Sequence, residues 1–511
     1  MARGRDYGAI MTDSAPTAGG TIGASPAETC KPWHRHDLTA ADWAATARDA
    51  AAQSRVLLAH WADASRVYAL FLDIDANAAV PISTAVEGGA YPALSPLLPA
   101  AALYERMIAD LFGYRADGAI DPRPWLDHGT WPGAFPMAPR ASPPRPDFDR
   151  FDPGEQDRHM VLSIGPVAGL IEEAAHLRLT LDGPAILGAE AVLGFTHKGT
   201  LGLMRGKSPR NAARFAARLS ADSTVAHSIA FAAAAEAALD AAAPPRAQRL
   251  RVIMLETERI AVHLDNLAEI GRLAAARSVS TLCGRLRETL LRASQSAFGH
   301  RLMMDCVVPG GVGADIADGG AGALLRACAD IAAGLTEIRR LHDGTALASR
   351  LGGLGVASGT VLAASGAGGV AGRAGGRAFD VRPAFMPAFS QMPPAVTIAA
   401  AGDAAARQAV RIGEIGESLR LIGGALDALP AGPVALPLPQ TSGEAIACAE
   451  SSRGDIWHWL RIDHGQIAAA FPRDPGWALW PLAESVLKTA MAEDAGMIRT
   501  SFALPASGMD L

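Results

Sequence analysis

The chain has 511 residues, half of them hydrophobic and 19% charged, so it can bury a large core and divide into two or three domains. A formal net charge of −6 without a basic tract excludes a surface built to neutralise nucleic-acid phosphates. The five cysteines, Cys30, Cys283, Cys306, Cys328 and Cys448, form no C-x-x-C pair; the chain offers no zinc or iron–sulfur framework and suits a reducing compartment.

Residues 1–32 lack the apolar core of a signal peptide and read as a disordered tail. In 33–138, "AADWAATARDAAAQSRVLLAHWAD" reads as a helix leading to a strand at "RVYALFLDI". "AAALYERMIADLFGYR" reads as an amphipathic helix ended by Gly113, and the Trp/Pro-rich "DPRPWLDHGTWPGAFPM" as extended chain. Residues 139–158, dense in Pro, Asp and Arg without a period, read as a linker to a second unit, 159–511.

That unit opens with strand-like pieces, "HMVLSIGP" and "HLRLTLDGPAILGAEAVLGF", after which long helices dominate. Ile253, Ile260, Leu264 and Leu267 form one helical stripe, and Leu286, Leu290, Ala293 and Ala297 another. "GDAAARQAVRIGEIGESLRLIGGAL" predicts a further helix, and the glycine-rich 351–376 a loop. The nearest approach to a membrane span, "IAFAAAAEAALDAAA", carries Glu236 and Asp240 and falls short of the roughly 18 apolar residues required. The expected fold is α+β: a small N-terminal α/β domain, then a mostly helical domain with β elements at its start and end.

Five groups could carry chemistry. "GFTHKGT" presents His197 in a Gly-flanked loop, which read alone is equally a surface turn with a solvated histidine. Glu256, Arg259 and His263 share one helix face, either as an ion-pair network or as the wall of a redox site. Arg373, Arg377, Asp380 and Arg382 are an ordinary salt-bridge cluster or charges that tune a nearby cofactor. "ESSRGDIWHW" is an acid–Arg–Gly turn before a strand. In "LSADSTVAHS", Ser220 and Ser223 are spaced like the two ends of a C-x-x-C metal clasp.

Taken in order, these pieces resemble the large subunit shared by group 4 membrane-bound nickel–iron hydrogenases, of the formate-hydrogenlyase and hydrogenase-4 type, and respiratory complex I. An N-terminal domain similar to complex I's small hydrophilic subunit is fused ahead of it. The resemblance covers nearly everything after about residue 35. It rests on "ERMIADLFG", "RPWLDHGTWP", "GPVAGLIEEAAHLRL", "HKGT", "GKSP", "AHS", "ETERIAVHL", "FGHRLMMDCVVPGGV", "GRAGGRAFDVR", "ESSRGDI" and "SFALPASGMDL".

The resemblance implies that the four metal-binding cysteines fall on Ser220, Ser223, Pro505 and Gly508, so no nickel–iron centre and no hydrogen chemistry are expected. Where the same cavity takes a quinone head group, the loop histidine matches His197, while its tyrosine and carboxylate partners fall on Ala221 and Leu273. Asp222, His227 or water would then substitute. Arg373, Arg377, Asp380 and Arg382 would face a 4Fe-4S cluster held by a separate small subunit, with Glu256, Arg259 and His263 as structural wall.

The implied function is an electron-transfer subunit, similar to an NADH/quinone oxidoreductase subunit, that passes electrons from the partner's cluster to a quinone-like acceptor. The alternative is a non-catalytic scaffold coupling a redox module to ion-translocating membrane subunits. The chain would bind no cofactor of its own besides quinone, contact no nucleic acid, and sit on the inner face of the cell membrane through its partners.

Overall fold

The computed structural model describes residues 27–52, 55–73, 78–138, 143–144, 150–151, 159–167, 173–344 and 346–511. It is mixed, 45% helical and 20% strand. The first domain comprises β1 (Ala27–Cys30), β2 (Trp33–Leu38), α1 (Ala40–Ala52), β3 (Val56–Ala62), β4 (Arg66–Asp73), β5 (Ala78–Ala85), β6 (Ala90–Pro92), α2 (Ala102–Phe112) and β7 (Arg115–Asp117). Its main sheet runs β1-β2-β5-β4-β3, with β2–β5 the parallel pair.

Two expectations are corrected here. β1 lies inside the stretch read as a tail, of which 1–26 fall outside the described residues. The expected helix ends at Ala52, and "VLLAHWA" is a strand buried along its whole length. An apolar run of this length has no period that separates a buried strand from a buried helix. The expected α2 does form, and Gly113 ends it in the left-handed conformation a C-terminal glycine supplies.

The linker 139–158 lies mostly outside the described residues. The second domain then opens with the antiparallel sheet β8 (Met160–Ile164), β9 (His176–Asp182) and β10 (Ala185–Val192). α3 (Thr200–Met204), α4 (Pro209–Ala216) and α5 (Thr224–Ala238) follow, then the long α6 (Pro245–Leu273) and α7 (Arg277–Phe298). A two-stranded β11 (Val307–Val308) and β12 (Gly311–Val312) precede α8 (Gly320–Asp343), α9 (Ala346–Leu351), α10 (Gly359–Ser365), α11 (Gly369–Ala374), α12 (Val381–Phe385) and α13 (Ala404–Asp427). The chain continues as the antiparallel sheet β13 (Gly443–Glu450), β14 (Asp455–Asp463) and β15 (Gln466–Arg473), then α14 (Gly476–Leu487), α15 (Ala495–Phe502) and α16 (Ser507–Asp510).

α6 packs against α7 and α13, and α5 lies across β13 and β14. The α6 stripe of Ile253, Ile260, Leu264 and Leu267 is buried, but so is its polar face, so this helix has no solvated side at mid-length. The glycine-rich segment is not a plain loop: α10 and α11 occupy part of it. Gly369 explains the composition, because a β-carbon there would lie 2.0 Å from the Arg453 carbonyl oxygen. Close packing has overridden weak helix propensity.

The two domains share a core. Trp61 stacks between Tyr68 and Phe471, with ring centres 5.4 and 5.5 Å away. Backbone bonds of 2.9 Å join Lys31 to Glu444 and Ile446 on β13, and Arg461 binds Asp63. Apolar burial on this scale, with ionic groups paired at its rim, fixes the first domain against the β13–β15 sheet.

Candidate functional site

Ser220 and Ser223 lie in the loop before α5, and Arg453 projects toward them from the β13–β14 turn. The Arg453 guanidinium donates to both oxygens of Asp222 (3.0 and 2.8 Å) and both of Asp474 (2.7 and 2.9 Å). The same group lies 3.3 Å from Ser220 Oγ and 3.2 Å from Ser223 Oγ. Both serine hydroxyls in turn donate to Asp222 Oδ1 (2.6 and 3.1 Å).

Asp474 also meets His227 Nε2 at 3.2 Å, and His227 Nδ1 meets His458 Nε2 at 3.0 Å, all three side chains buried. Burial pushes the Asp474 carboxyl up, but Arg453 and His227 outweigh it and hold the group well below the usual carboxylate range. Burial, with His227 alongside, holds His458 well below an ordinary histidine, so it stays neutral.

Gly508 packs on the other side of Asp474: a β-carbon at 508 would come 2.4 Å from the Asp474 carboxyl carbon. Pro505 offers only its carbonyl, which accepts from Trp480 Nε1 at 3.2 Å. Three of the four positions matched to metal ligands therefore meet around one arginine–carboxylate group. Hydroxyls, a proline and a glycine supply no thiolate, and a fixed guanidinium already neutralises the carboxylates. These residues do not fit a nickel–iron centre.

The His197 loop is built differently. Asp510 accepts from the Gly194 and Thr196 amides (2.7 and 2.8 Å) and from Thr196 Oγ1 (2.6 Å). His197 Nδ1 meets the Asp510 carbonyl at 2.5 Å, an arrangement that puts the proton on Nδ1 and frees Nε2. The ring lies 4.9 Å from Trp131, which brings the first domain's Trp/Pro segment to the loop. Burial lowers the His197 pKa, with the Asp510 carbonyl opposing. Lys198 Nζ reaches the carbonyls of Leu219 and Ser507 at 3.4 and 3.5 Å, tying the loop to the segments carrying Ser220 and Gly508.

The α6 polar face and the "RAGGRAFDVR" charges form one buried web. Arg382 binds Glu256 (2.8 and 3.0 Å) and Asp380 (2.6 Å). Arg373 binds Glu414 (2.8 Å) and Glu450 (2.9 Å). Arg259 and His263 converge on Glu414 Oε2 at 2.6 and 2.9 Å, and Ser418 donates to Glu256 at 2.6 Å. Burial pushes Glu414 up, but Arg373 and Arg259 hold it well below the carboxylate range. Arg377 stands apart, half-buried and bonded to the Ala367 carbonyl at 2.9 Å.

The structure gives these residues different partners. Asp222 and His227 join through Arg453 and Asp474, whereas His197 bonds to Asp510. Ala221 is exposed and Leu273 half-buried at the end of α6, neither supplying a polar group. Sequence reasoning missed Asp474, Glu414 and Asp510. Asp510 lies in the terminal "SFALPASGMDL" and Glu414 in an expected helix, but no local pattern there gives a sign of a distant partner. Asp474 has not even a motif around it.

Two family matches divide the chain: residues 28–149 match the respiratory-chain NADH dehydrogenase 30 kDa subunit, and residues 274–442 the 49 kDa subunit. Formate hydrogenlyase subunit 5 of Escherichia coli (strain K12) is 26% identical over 427 residues, 80% of this chain and 74% of that protein. The carbon monoxide-induced hydrogenase of Rhodospirillum rubrum is 27% identical over 307 residues, 59% of this chain and 85% of the relative. A chloroplastic NAD(P)H-quinone oxidoreductase subunit of Nandina domestica is 29% identical over 276 residues, 54% of this chain and 70% of the relative.

A chain of the membrane-bound sulfane sulfur reductase, an archaeal respiratory membrane complex, superposes with a TM-score of 0.66 at 22% identity, covering 71% of this chain and all of that one. At that identity the likeness speaks for the fold. The chain carries a domain of the respiratory-chain NADH dehydrogenase 30 kDa subunit type fused to one of the 49 kDa subunit type, and is homologous to formate hydrogenlyase subunit 5 and the carbon monoxide-induced hydrogenase.

Proposed function

We propose that this chain is an electron-transfer subunit of a membrane-attached respiratory complex, passing electrons from a partner's iron–sulfur cluster to a quinone-like acceptor at the His197 loop. The observation that carries the reading is the contrast between the two sites: the metal position is closed by Arg453, while His197 is oriented by a backbone carbonyl with Nε2 left over. Quinone reduction takes two electrons and two protons. The electrons come from the partner's cluster; His197, once charged, delivers one proton through Nε2 as negative charge grows on the acceptor oxygen, and recovers it from solvent before delivering the second. The description of the superposed sulfane sulfur reductase as a respiratory membrane complex supports peripheral attachment, for which ion-translocating membrane subunits would be the partners, and no helix among the described residues is long and apolar enough to cross a membrane.

The second reading is a scaffold that couples a redox module to those membrane subunits. Ala221 and Leu273 favour it, since neither replaces the polar partner that the family places there. Reoxidation separates the two. With the assembled complex reduced by a low-potential donor, added quinone should reoxidise the cluster signal within turnover times. A signal that stays reduced in the presence of quinone leaves the scaffold as the account.

A further inference from the structure

We propose that the cavity between the α6–α7 turn and the α8–α9 segment binds a phosphate-bearing anion. The cavity has a volume of about 920 Å³ and is lined by the turn Ala274–Val279 together with Leu341, Leu347, Ser349 and Arg350. Its polar lining residues are Arg277, Ser278, Ser349 and Arg350, with no Asp or Glu among the described residues that line it.

Neighbouring arginines are matched to acids, Arg272 with Glu269, Arg287 with Asp265 and Arg340 with Glu337. Arg277 and Arg350, like Arg285, Arg326 and Arg339 of the same segment, meet no carboxylate among the described residues, and these two share one cavity wall. The surrounding segment, 272–350, carries ten arginines against seven acids in a chain whose net charge is −6. Two arginines without an acid partner, lining one space, suit the oxygens of a phosphate, which guanidinium recognises in bidentate fashion.

The backbone adds to this charge. α7 begins at Arg277 with no side-chain cap, and although the Val279 amide bonds to the Ala276 carbonyl, the positive dipole end of a 22-residue helix lies at the cavity wall. Val279, Leu341 and Leu347 give the rest an apolar surface, and the volume far exceeds a bare phosphate. A phosphate attached to a hydrocarbon or aromatic body fills it better, as a lipid headgroup or a soluble phosphate ester does.

The test is titration of the full chain with inorganic phosphate by calorimetry, and flotation with phosphatidylcholine vesicles with and without phosphatidylglycerol. Native protein is compared with Arg277→Gln/Arg350→Gln and with Arg292→Gln, an exposed arginine elsewhere on α7. Both cavity arginines are exposed, so the double variant should melt with the native protein. The proposal predicts phosphate binding that weakens at least tenfold in the double variant and is unchanged in Arg292→Gln. Parallel loss of flotation with anionic vesicles identifies the source as lipid headgroups; phosphate binding without flotation identifies a soluble phosphate. No phosphate binding, or equal binding by all three proteins, overturns it.

Discussion

Two polar regions of the second domain, the web around Glu414 and the loop around His197, use the same residue types to different ends. In the web, three basic side chains converge on Glu414 and every member is buried, so each charge is held only by its partners. In the loop, one carboxylate, Asp510, holds three donors, and the histidine beside it stays half-buried with a ring nitrogen to spare. Charge paired in a dry interior makes a rigid frame, even with Arg259 Nε, Arg373 Nη2 and His263 Nδ1 left without hydrogen bonds; a half-buried histidine held by one backbone carbonyl is placed to react. The Arg453 group belongs with the web, although it sits where the family resemblance places metal ligands.

The largest effect should come from the web. Glu414→Gln leaves Arg259 and Arg373 buried without their shared carboxylate, and unfolding by denaturant should show a loss of about 3–5 kcal/mol. Arg453→Met should cost somewhat less, about 3 kcal/mol, because Asp222 is partly exposed and can recover water while Asp474 cannot. Equal stability for native and Glu414→Gln proteins would show that the web is not a frame.

Acid should weaken the frame. Burial lowers His263 from 6.5 to about 4, and does the same to His60, a buried histidine on β3 of the first domain outside the web. Below pH 6.5 the unfolded chain takes up protons at these positions and the folded chain does not. Their contribution is therefore full above pH 6.5, falls between 6.5 and 4, and levels off below that, by up to about 3 kcal/mol for each histidine. Denaturant midpoints measured across that range should slope downward, and His263→Gln should flatten the slope.

The loop effects are smaller in stability. Asp510→Asn removes the charge to which Gly194 and Thr196 donate and should cost about 1–2 kcal/mol. It should also slow turnover by loosening the Gly194–Thr196 turn that leads into His197, although the bond to the backbone carbonyl of residue 510 remains, whereas a rate equal to native would mean that the loop geometry is irrelevant to the reaction.

Much of the fold was legible because its signals are local. The helix ended by Gly113, the apolar stripes of α6 and α7 and the alternation of β9 need only neighbours in sequence. "VLLAHWA" was misread because a strand buried on both faces loses its alternation. The glycine-rich segment was misread because Gly369 serves a contact with Arg453, about eighty residues away in the chain. The candidate site was half legible for the same reason. His197, Arg259 and Arg382 announce themselves in motifs, but Glu414, Asp474 and Asp510 gain their roles from partners far off in sequence, and nothing beside them records it.

The separation of frame from reactive loop is tested most directly by His197→Ala in the assembled membrane complex, with melting temperature and quinone reduction measured on the same preparation. The account predicts a melting temperature within about 2 °C of native, since a half-buried side chain with one hydrogen bond is removed, and a quinone reduction rate lowered about a hundredfold. A native rate in an intact complex would contradict it and place the acceptor elsewhere.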